Sequence, residues 1–189
     1  MSEETKEPKT LAFMTRCHPL RAKELEACKT SIASQVCDDY EHVLIPDLTE
    51  KGCGRLEANQ LFATFKGNPK IKARYLMVLD DDDMLIDDDF VGILKAIVEK
   101  QPYDLVIFKG WHFHHGVLPS PDMWRRPIQL AKIASFCMAV ERDLWFRYII
   151  RFGLKARGGD FEFMRAVYKE AKSIYWLDRK VARTQRESW

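Results

Sequence analysis

The 189-residue sequence predicts an α/β fold, in which a three-layer α/β/α sandwich is built around a mixed, mainly parallel sheet. Short apolar runs alternate with longer segments of helical spacing along most of the chain, which is typical of this class. One apolar run, Tyr75 to Leu79, leads directly into a stretch with seven aspartates between Asp80 and Asp89. Because ligands bind beyond the carboxyl ends of strands in such sheets, the acidic stretch marks a candidate site.

The predicted strands share a short apolar core bounded by polar or turn residues; they cover 10–15, 42–46, 74–80, 103–113, 134–141 and 173–178. The predicted helices share apolar residues three or four positions apart; they cover 21–35, 55–65, 88–100, 142–152 and 160–172. A Pro-rich loop is expected at 117–127. The aspartates at 87–89 are expected to cap the helix that follows them, since acids stabilise the positive end of a helix.

Composition is that of an ordinary globular protein, with 47% hydrophobic and 31% charged residues. We expect residues 1–9 to be a disordered tail and residues 10–189 to form one domain. No apolar run approaches the roughly 20 residues of a membrane-spanning helix, so no transmembrane segment is predicted. The polar start resembles no targeting peptide, and five cysteines without a CxxC pair indicate reduced thiols. Together these features predict a cytoplasmic protein.

Charge is distributed unevenly along the chain. The net charge is +2, but residues 80–89 carry seven aspartates and residues 125–186 carry fifteen Lys/Arg against six Asp/Glu. An acidic cluster facing a basic region could hold a cation and a polyanion together, although two solvated surfaces would give the same count. The sequence has no helix-turn-helix, zinc-finger or RNP-like pattern, so no nucleic-acid partner is predicted.

The acidic stretch favours one kind of cation site over others. Counted from Asp80, the sixth and twelfth residues are Leu85 and Val91, whereas an EF-hand loop needs Gly and Glu there. No strand is followed by a P-loop or a GxGxxG motif. What remains is a strand-terminal Asp-x-Asp, Asp80 to Asp82, whose hard oxygens suit Mn²⁺ or Mg²⁺ and a bound pyrophosphate.

Four segments carry a family resemblance in order along the chain: "LAFMTRCHP", "EHVLIPDLTEKG", "VLDDDDMLIDDDF" and "GGDFEFMRAVY". Together they resemble the inverting, family 2-like glycosyltransferases of the GT-A (Rossmann-like) fold. "VLDDDDMLIDDDF" resembles their Asp-x-Asp region, and "LAFMTRCHP" their first strand. "EHVLIPDLTEKG" resembles the second strand with its terminal acid, and "GGDFEFMRAVY" the start of the late helix that carries the base. The resemblance covers about residues 10–180. It implies an enzyme that moves a sugar from a nucleoside-diphosphate sugar to a hydroxyl of a glycan or another acceptor.

The resemblance also implies a role for each matching residue. Asp160 would be the catalytic base that deprotonates the acceptor. Asp82 would be the principal ligand of Mn²⁺ or Mg²⁺, supported by Asp83. The remaining matches would bind the donor: Thr15 and Arg16 in the nucleotide pocket, Asp47 on the base, Asp80 near the ribose or a metal-bound water, and Asp81 within the same motif.

Several positions leave alternatives open. Gly159 stands where the family usually has Glu, so Glu162 is a second candidate base. Trp111 and Trp124 are assigned to acceptor sugar binding, with core packing as the other interpretation. Residues 112–115 carry three histidines, which are expected to be loop or acceptor-side residues, with metal binding as the other interpretation. Arg183 or Arg186 is a candidate for gripping the donor diphosphate.

Two other functions remain compatible with the sequence. A non-catalytic nucleotide- or sugar-binding module of the same fold would keep the strands but lack turnover. A nucleotidyltransferase would share the α/β architecture, yet "MTRCHPLRAK" lacks the Gly-rich loop typical of that class. The sequence does not predict the donor base, the acceptor or the oligomeric state.

Overall fold

A computed structural model describes residues 7–155 and 157–185. Within that part of the chain, eight strands and five α-helices follow one another in a largely alternating order. The strands are β1 Leu11–Cys17, β2 Tyr40–Pro46, β3 Tyr75–Val78, β4 Asp83–Leu85, β5 Leu105–His112, β6 Gly116–Leu118, β7 Met138–Glu141 and β8 Ile174–Thr184. The helices are α1 Ala22–Ala33, α2 Gly54–Ala63, α3 Phe90–Lys100, α4 Arg142–Tyr148 and α5 Gly159–Glu170. Short 3₁₀ helices occupy Pro121–Met123, Ser135–Cys137 and Ile149–Leu154.

The strands form one mixed sheet in the order β2-β1-β3-β7-β5-β8-β4, with β6 paired to β5. Three strand pairs are parallel, β1–β2, β1–β3 and β5–β8, and each contains four to seven paired residues. The antiparallel strand pairs contain only two or three paired residues each. Strand β7 lies antiparallel between β3 and β5 and divides the parallel part of the sheet in two. The predicted α/β sandwich with a mixed sheet is therefore confirmed.

Helices cover both faces of the sheet. Helices α1 and α3 belong to one face, where Phe90 of α3 packs edge-on against Phe108 of β5 at 4.8 Å between ring centroids. Helices α2, α4 and α5 meet on the other face around an aromatic cluster of Phe62, Trp145, Phe152 and Phe163. All four aromatic side chains are fully buried, so this cluster fixes α5 relative to α2.

Most predicted elements are found within a few residues of their expected bounds. The exceptions are β4, for which no strand was predicted, β6, which overlaps the expected Pro-rich loop, and β8, which continues six residues beyond the predicted Asp178. The strand expected at 134–141 begins only at Met138, after the 3₁₀ helix Ser135–Cys137. The helix expected at 142–152 ends at Tyr148 and continues as a 3₁₀ helix. Of the expected N-terminal tail, residues 1–6 lie outside the described residues.

The expected capping of α3 by the three aspartates is wrong at the level of side chains. Asp89 occupies the N-cap position, but its carboxylate accepts no capping hydrogen bond. The cap comes from α1's end, where Gln35 Oε1 accepts a hydrogen bond from Val91 N–H at 3.0 Å. The carboxylate of Asp87 binds Arg179, and that of Asp88 accepts from Ser34 Oγ.

No helix in the described part of the chain is long and apolar enough to cross a membrane.

Candidate active site

The carboxyl ends of β1, β2 and β3 open into a cleft of about 840 Å³. Parallel pairing brings Arg16, the Asp47 that follows β2, and Asp80 to the same edge of the sheet. Helix α5 adds Asp160 from its first turn, and the turn between β5 and β6 adds His112 and His115. The cleft therefore gathers residues from all four segments that carry the family resemblance.

The four consecutive aspartates of the cleft have different partners. Asp80 receives a bidentate contact from the guanidinium of Arg16, with Nε at 2.8 Å from Oδ1. Arg21 Nη1 lies 2.9 Å from Asp81 Oδ1 and 2.8 Å from Asp82 Oδ2, and so bridges two of them. Asp83 Oδ2 accepts from the backbone N–H of Asp80 at 3.2 Å. Two arginines thus contact three of the four carboxylates.

Burial and mutual repulsion make these carboxylates harder to ionise. Burial, and then the charge of Asp80, raise the pKa of Asp82 to about 6. Burial, followed by Asp82 and Asp80, raises the pKa of Asp83 well above its ordinary value. Full ionisation of all four would leave a formal charge of −2 beside the two arginines, a charge that a bound divalent cation would offset.

Asp82 and Asp83 provide the kind of ligand that a divalent cation prefers, but they are too few to complete its coordination. Carboxylate oxygens are the ligands that Mn²⁺ and Mg²⁺ prefer, and ions of this kind take further oxygens from water and phosphates. No preassembled group of three His, Cys, Asp or Glu ligands occurs among the described residues. A cation here would therefore depend on oxygens from outside the protein as well as on Asp82 and Asp83.

Arg16 connects the acidic cluster with the helices on its other side. Its Nη1 donates to Asn59 Oδ1 at 2.6 Å, and its guanidinium lies 4.9 Å from the ring centroid of Phe62. Although burial opposes its charge, the contact with Asp80 raises the pKa of Arg16 above its ordinary value. Asn59 Nδ2 donates in turn to Lys155 O at 3.2 Å, close to the start of α5. No sequence motif marks Asn59 or Arg21; the fold brings both residues to the cleft.

Asp47 organises the loop that follows β2. Its carboxylate accepts from Thr49 N–H at 2.9 Å, Thr49 Oγ at 2.7 Å and Cys53 N–H at 2.6 Å. These hydrogen bonds outweigh burial and hold the pKa of Asp47 well below its ordinary value. In the same loop Gly52 has φ +89, and a Cβ on it would lie 2.2 Å from the ring of His18. Asp47 lines the cleft, but most of its acceptor capacity is used within the loop.

Thr15 lies beneath the floor of the cleft. It is fully buried, donates to Leu79 O at 2.6 Å and contacts His42 Nε2 at 2.9 Å. Thr15 is not among the described residues that line the cleft. The side chain links β2, β1 and β3 directly under Asp80.

The two candidate bases are placed differently. Asp160 lines the cleft, and its charge adds to the field at Arg16. The carboxylate of Glu162 lies 2.8 Å from Lys155 Nζ and 2.5 Å from Arg165 Nη2. Glu162 is not among the described residues that line the cleft. The structure therefore brings Asp160, and not Glu162, to the acidic cluster.

Packing explains the glycine that precedes Asp160. A Cβ at Gly159 would lie 2.1 Å from Phe152 O and 2.9 Å from Asn59 Nδ2. The 3₁₀ helix Ile149–Leu154 approaches the start of α5 so closely that no side chain fits at this position. The departure from the family pattern at Gly159 is thus a consequence of local packing.

The remaining predicted residues lie outside the cleft-lining set of the described chain. Trp111 packs edge-on against Phe113, and Trp124 packs against Trp176 with Lys109 Nζ 4.7 Å from its ring centroid. Arg183 is exposed on β8, and Arg186 lies outside the described residues. Among the described residues, the arginine and lysine side chains that line the cleft are Arg16, Arg21, Lys51 and Arg157. Of these four, only Arg16 was predicted from the sequence.

No protein-family model and no curated protein sequence matches this chain. Solved structures do match its fold. TarS 1–349 of S. aureus in complex with UDP superposes with a TM-score of 0.69 at 15% identity, over 93% of this chain and 60% of that one. The complex of the same protein with UDP-GlcNAc gives 0.68 at 15% identity, over 95% and 59%. The chain therefore spans about 60% of the length of TarS 1–349.

A second kind of neighbour has a similar length. A glycosyltransferase involved in the glycosylation of the major capsid of PBCV-1 has a TM-score of 0.56 at 9% identity, over 95% of this chain and 94% of that one. At these identities the likeness establishes the fold alone, and it is the GT-A-like fold expected from the four sequence segments.

Proposed function

We propose that this protein is a metal-dependent, inverting glycosyltransferase that uses a nucleoside-diphosphate sugar. The observation that carries the proposal is the convergence of Asp47, Asp80–Asp83 and Asp160 on one cleft at the carboxyl ends of β1, β2 and β3. Neighbours of the same fold bind UDP and UDP-GlcNAc, which supports a nucleotide sugar as the donor class. The residues of the cleft support this function, whereas the fold alone is compatible with many different functions.

Asp82 and Asp83 would hold Mn²⁺ or Mg²⁺, with Asp80 close by. When bound, the cation offsets the negative charge that develops on the departing diphosphate. Arg16 and Arg21 hold the carboxylates in place and lower their mutual repulsion. Lys51 and Arg157, at the cleft wall, are positioned to contact donor phosphates.

Asp160 would act as the general base. It takes the proton from the acceptor hydroxyl while that oxygen attacks the anomeric carbon of the donor sugar. The bond from that carbon to the diphosphate oxygen breaks, and the nucleoside diphosphate leaves with the electron pair. Because attack and departure occur on opposite sides, the configuration at the anomeric carbon inverts.

Donor and metal binding can be tested by thermal shift. We expect one nucleoside diphosphate, and its sugar derivative, to raise the Tm in Mn²⁺ or Mg²⁺ and to lose this effect in EDTA, because a ligand of the native state stabilises it. A folded protein whose Tm responds to no nucleotide under any of these conditions contradicts the proposal.

Catalysis can be separated from binding by two matched substitutions. Asp160→Asn should keep the donor-induced Tm shift and lower the release of nucleoside diphosphate by about 10²–10⁴-fold, as for loss of a general base. Glu162→Gln, which weakens only the two ion pairs with Lys155 and Arg165 outside the cleft, should change turnover by less than about threefold. Donor binding without any nucleoside diphosphate release in the wild type would instead identify a non-catalytic binding module.

A further inference from the structure

Two segments beside the cleft carry six basic residues and no acidic one. They are residues 125–132 and 150–158 without residue 156, which lies outside the described residues; we call them the basic rim. Its cations are Arg125, Arg126, Lys132, Arg151, Lys155 and Arg157. All six are exposed. The rim thus accounts for a large part of the positive charge of the final third of the chain.

The two segments meet at the mouth of the cleft. A Cβ on Gly158 would lie 3.7 Å from Leu130 Cδ1, so the two segments approach each other closely at this point. Leu130 and Ala131 from one segment, and Arg157 and Gly158 from the other, line the cleft. The two segments of the rim therefore adjoin at the cleft, next to the start of α5 and Asp160.

Large apolar side chains are exposed among these cations. Leu130 is 63% exposed, Leu154 57% and Ile150 46%. Of the six cations, only Lys155 forms an ion pair with a residue in the described part of the chain, Glu162. The charges of Lys132 and Arg126 act on the nearby Asp122. Because the exposed leucine and isoleucine side chains favour an apolar partner and the excess of cations an anionic one, this surface matches a partner that is both anionic and apolar.

We propose that the basic rim docks this protein on an anionic lipid bilayer with the cleft mouth facing the membrane. The rim cations other than Arg157, which faces the donor, would contact lipid phosphates, while Leu130, Ile150 and Leu154 insert into the headgroup boundary. A nucleic acid would satisfy the cations but not the aliphatic side chains, so the bilayer is the better match. If the proposed transferase function holds, the acceptor is a lipid-linked hydroxyl; the docking itself does not rest on that function.

Vesicle flotation tests the docking without any substrate. We expect binding to phosphatidylcholine vesicles that contain phosphatidylglycerol, weaker binding as salt is raised, and little binding to phosphatidylcholine alone. Arg126→Ser with Lys132→Ser should weaken binding roughly fivefold for each cation removed. Leu130→Ser with Leu154→Ser should weaken it about tenfold, because two aliphatic side chains no longer leave water.

Matched controls lie at the opposite end of the sheet. Val36 is 79% exposed and precedes β2, and Lys66 and Lys70 are exposed before β3. Val36→Ser and the double change Lys66→Ser with Lys70→Ser should leave vesicle binding unchanged. Because every substituted side chain is exposed, each variant should melt within a few degrees of the wild type.

Three outcomes would overturn the docking proposal. They are no flotation with anionic vesicles, equal losses from the rim and control variants, and binding to a nucleic acid that the leucine changes do not affect. Donor-induced thermal shifts, measured on the same samples, report the proposed transferase function separately. A protein that binds donor but not vesicles would keep that function and lose only the docking.

Discussion

His42 makes the stability of the protein depend on pH. Its imidazole contacts the buried Thr15 hydroxyl below the cleft, and burial, followed by the charge of Lys29, lowers the pKa of His42 to about 4. This folded-state value lies below the ordinary 6.5, so the folded protein binds fewer protons than the unfolded chain between these values. The contribution of neutral His42 to stability is therefore complete above about pH 6.5 and is lost as the pH falls toward 4.

We expect His42→Gln to make stability less sensitive to acid in that window. One proton contributes a slope of at most about 1.4 kcal/mol per pH unit, and the variant should lose that part of it. Denaturant unfolding of both proteins at several pH values between 4 and 7.5 measures the difference. His114→Gln, at an exposed position, should follow the wild-type curve, and parallel curves for His42→Gln and the wild type would refute the assignment.

Single residues of the site are predictable from the sequence where they lie at the end of a predicted strand or the start of a predicted helix. Asp47 follows one apolar strand, Asp80 ends another and Asp160 opens a helix, while their roles come only from the family resemblance. Arg21 and Asn59 are not predictable, since their place in the cleft depends on contacts with Asp81 and Arg16, which are 60 and 43 residues away in sequence. Even for Asp47, the sequence does not show that its oxygens hold a loop.

A helix or strand is predictable from the sequence when its own residues determine its conformation. Helix α3, with its apolar residues at helical spacing, and β3, with its continuous apolar run, are examples. Strand β4 was not predictable, because its three residues gain strand geometry only by pairing with β8, through Asp83 with Thr184 and Leu85 with Ala182. The same pairing extends β8 beyond its apolar part.

The cap of α3 is a prediction at the scale of an element. Gln35 accepts from Val91 N–H and donates from Nε2 to Asp87 O at 2.7 Å, and it is buried. Gln35→Ala should therefore lower the free energy of unfolding by about 1–2 kcal/mol, through a lost cap and unsatisfied buried groups. Asp89→Ala, at the N-cap position that makes no side-chain capping bond, should cost less than about 0.5 kcal/mol. Urea unfolding measures the free energy of unfolding of both variants. If Asp89→Ala lowers it more than Gln35→Ala does, Asp89 and not Gln35 caps α3.

At the scale of the whole molecule, strand–helix alternation predicted the layers but not the strand order. The central β7 runs antiparallel, and no local pattern in its four residues distinguishes it from a parallel strand buried on both faces. The sheet order nevertheless places β1, β2 and β3 side by side, which is what makes one cleft of three separate strand ends. The fold class therefore predicts where the site lies, but it does not predict which arginines pair with which aspartates inside the cleft.

The concentration of acids at that edge should lower the stability of the whole fold. Asp83 is buried beside Asp80 and Asp82, and burial followed by these charges raises its pKa, so its ionised form is disfavoured in the folded protein. Asp83→Asn keeps the shape and an acceptor for the Asp80 N–H but removes one charge. Without metal at pH 7.5, we expect it to stabilise the protein by about 0.5–2 kcal/mol, or roughly 2–4 °C in Tm for each kcal/mol.

The gain should depend on pH in a defined direction. A raised folded-state pKa means that the wild-type carboxyl is protonated, and no longer repelled, at low pH, so the advantage of Asp83→Asn should be largest at pH 7.5 and shrink toward pH 4. The same variant should lose the Mn²⁺-dependent part of any nucleotide-induced shift, since Asp83 is a proposed ligand. Asp89→Asn is the control, because its side chain is 64% exposed and its change should leave both the Tm and the metal response unaltered. Calorimetry of the three proteins with EDTA and with Mn²⁺ measures both effects; an Asp83→Asn protein that melts lower than wild type in EDTA would show that the acidic cluster stabilises the fold rather than serving a bound cation.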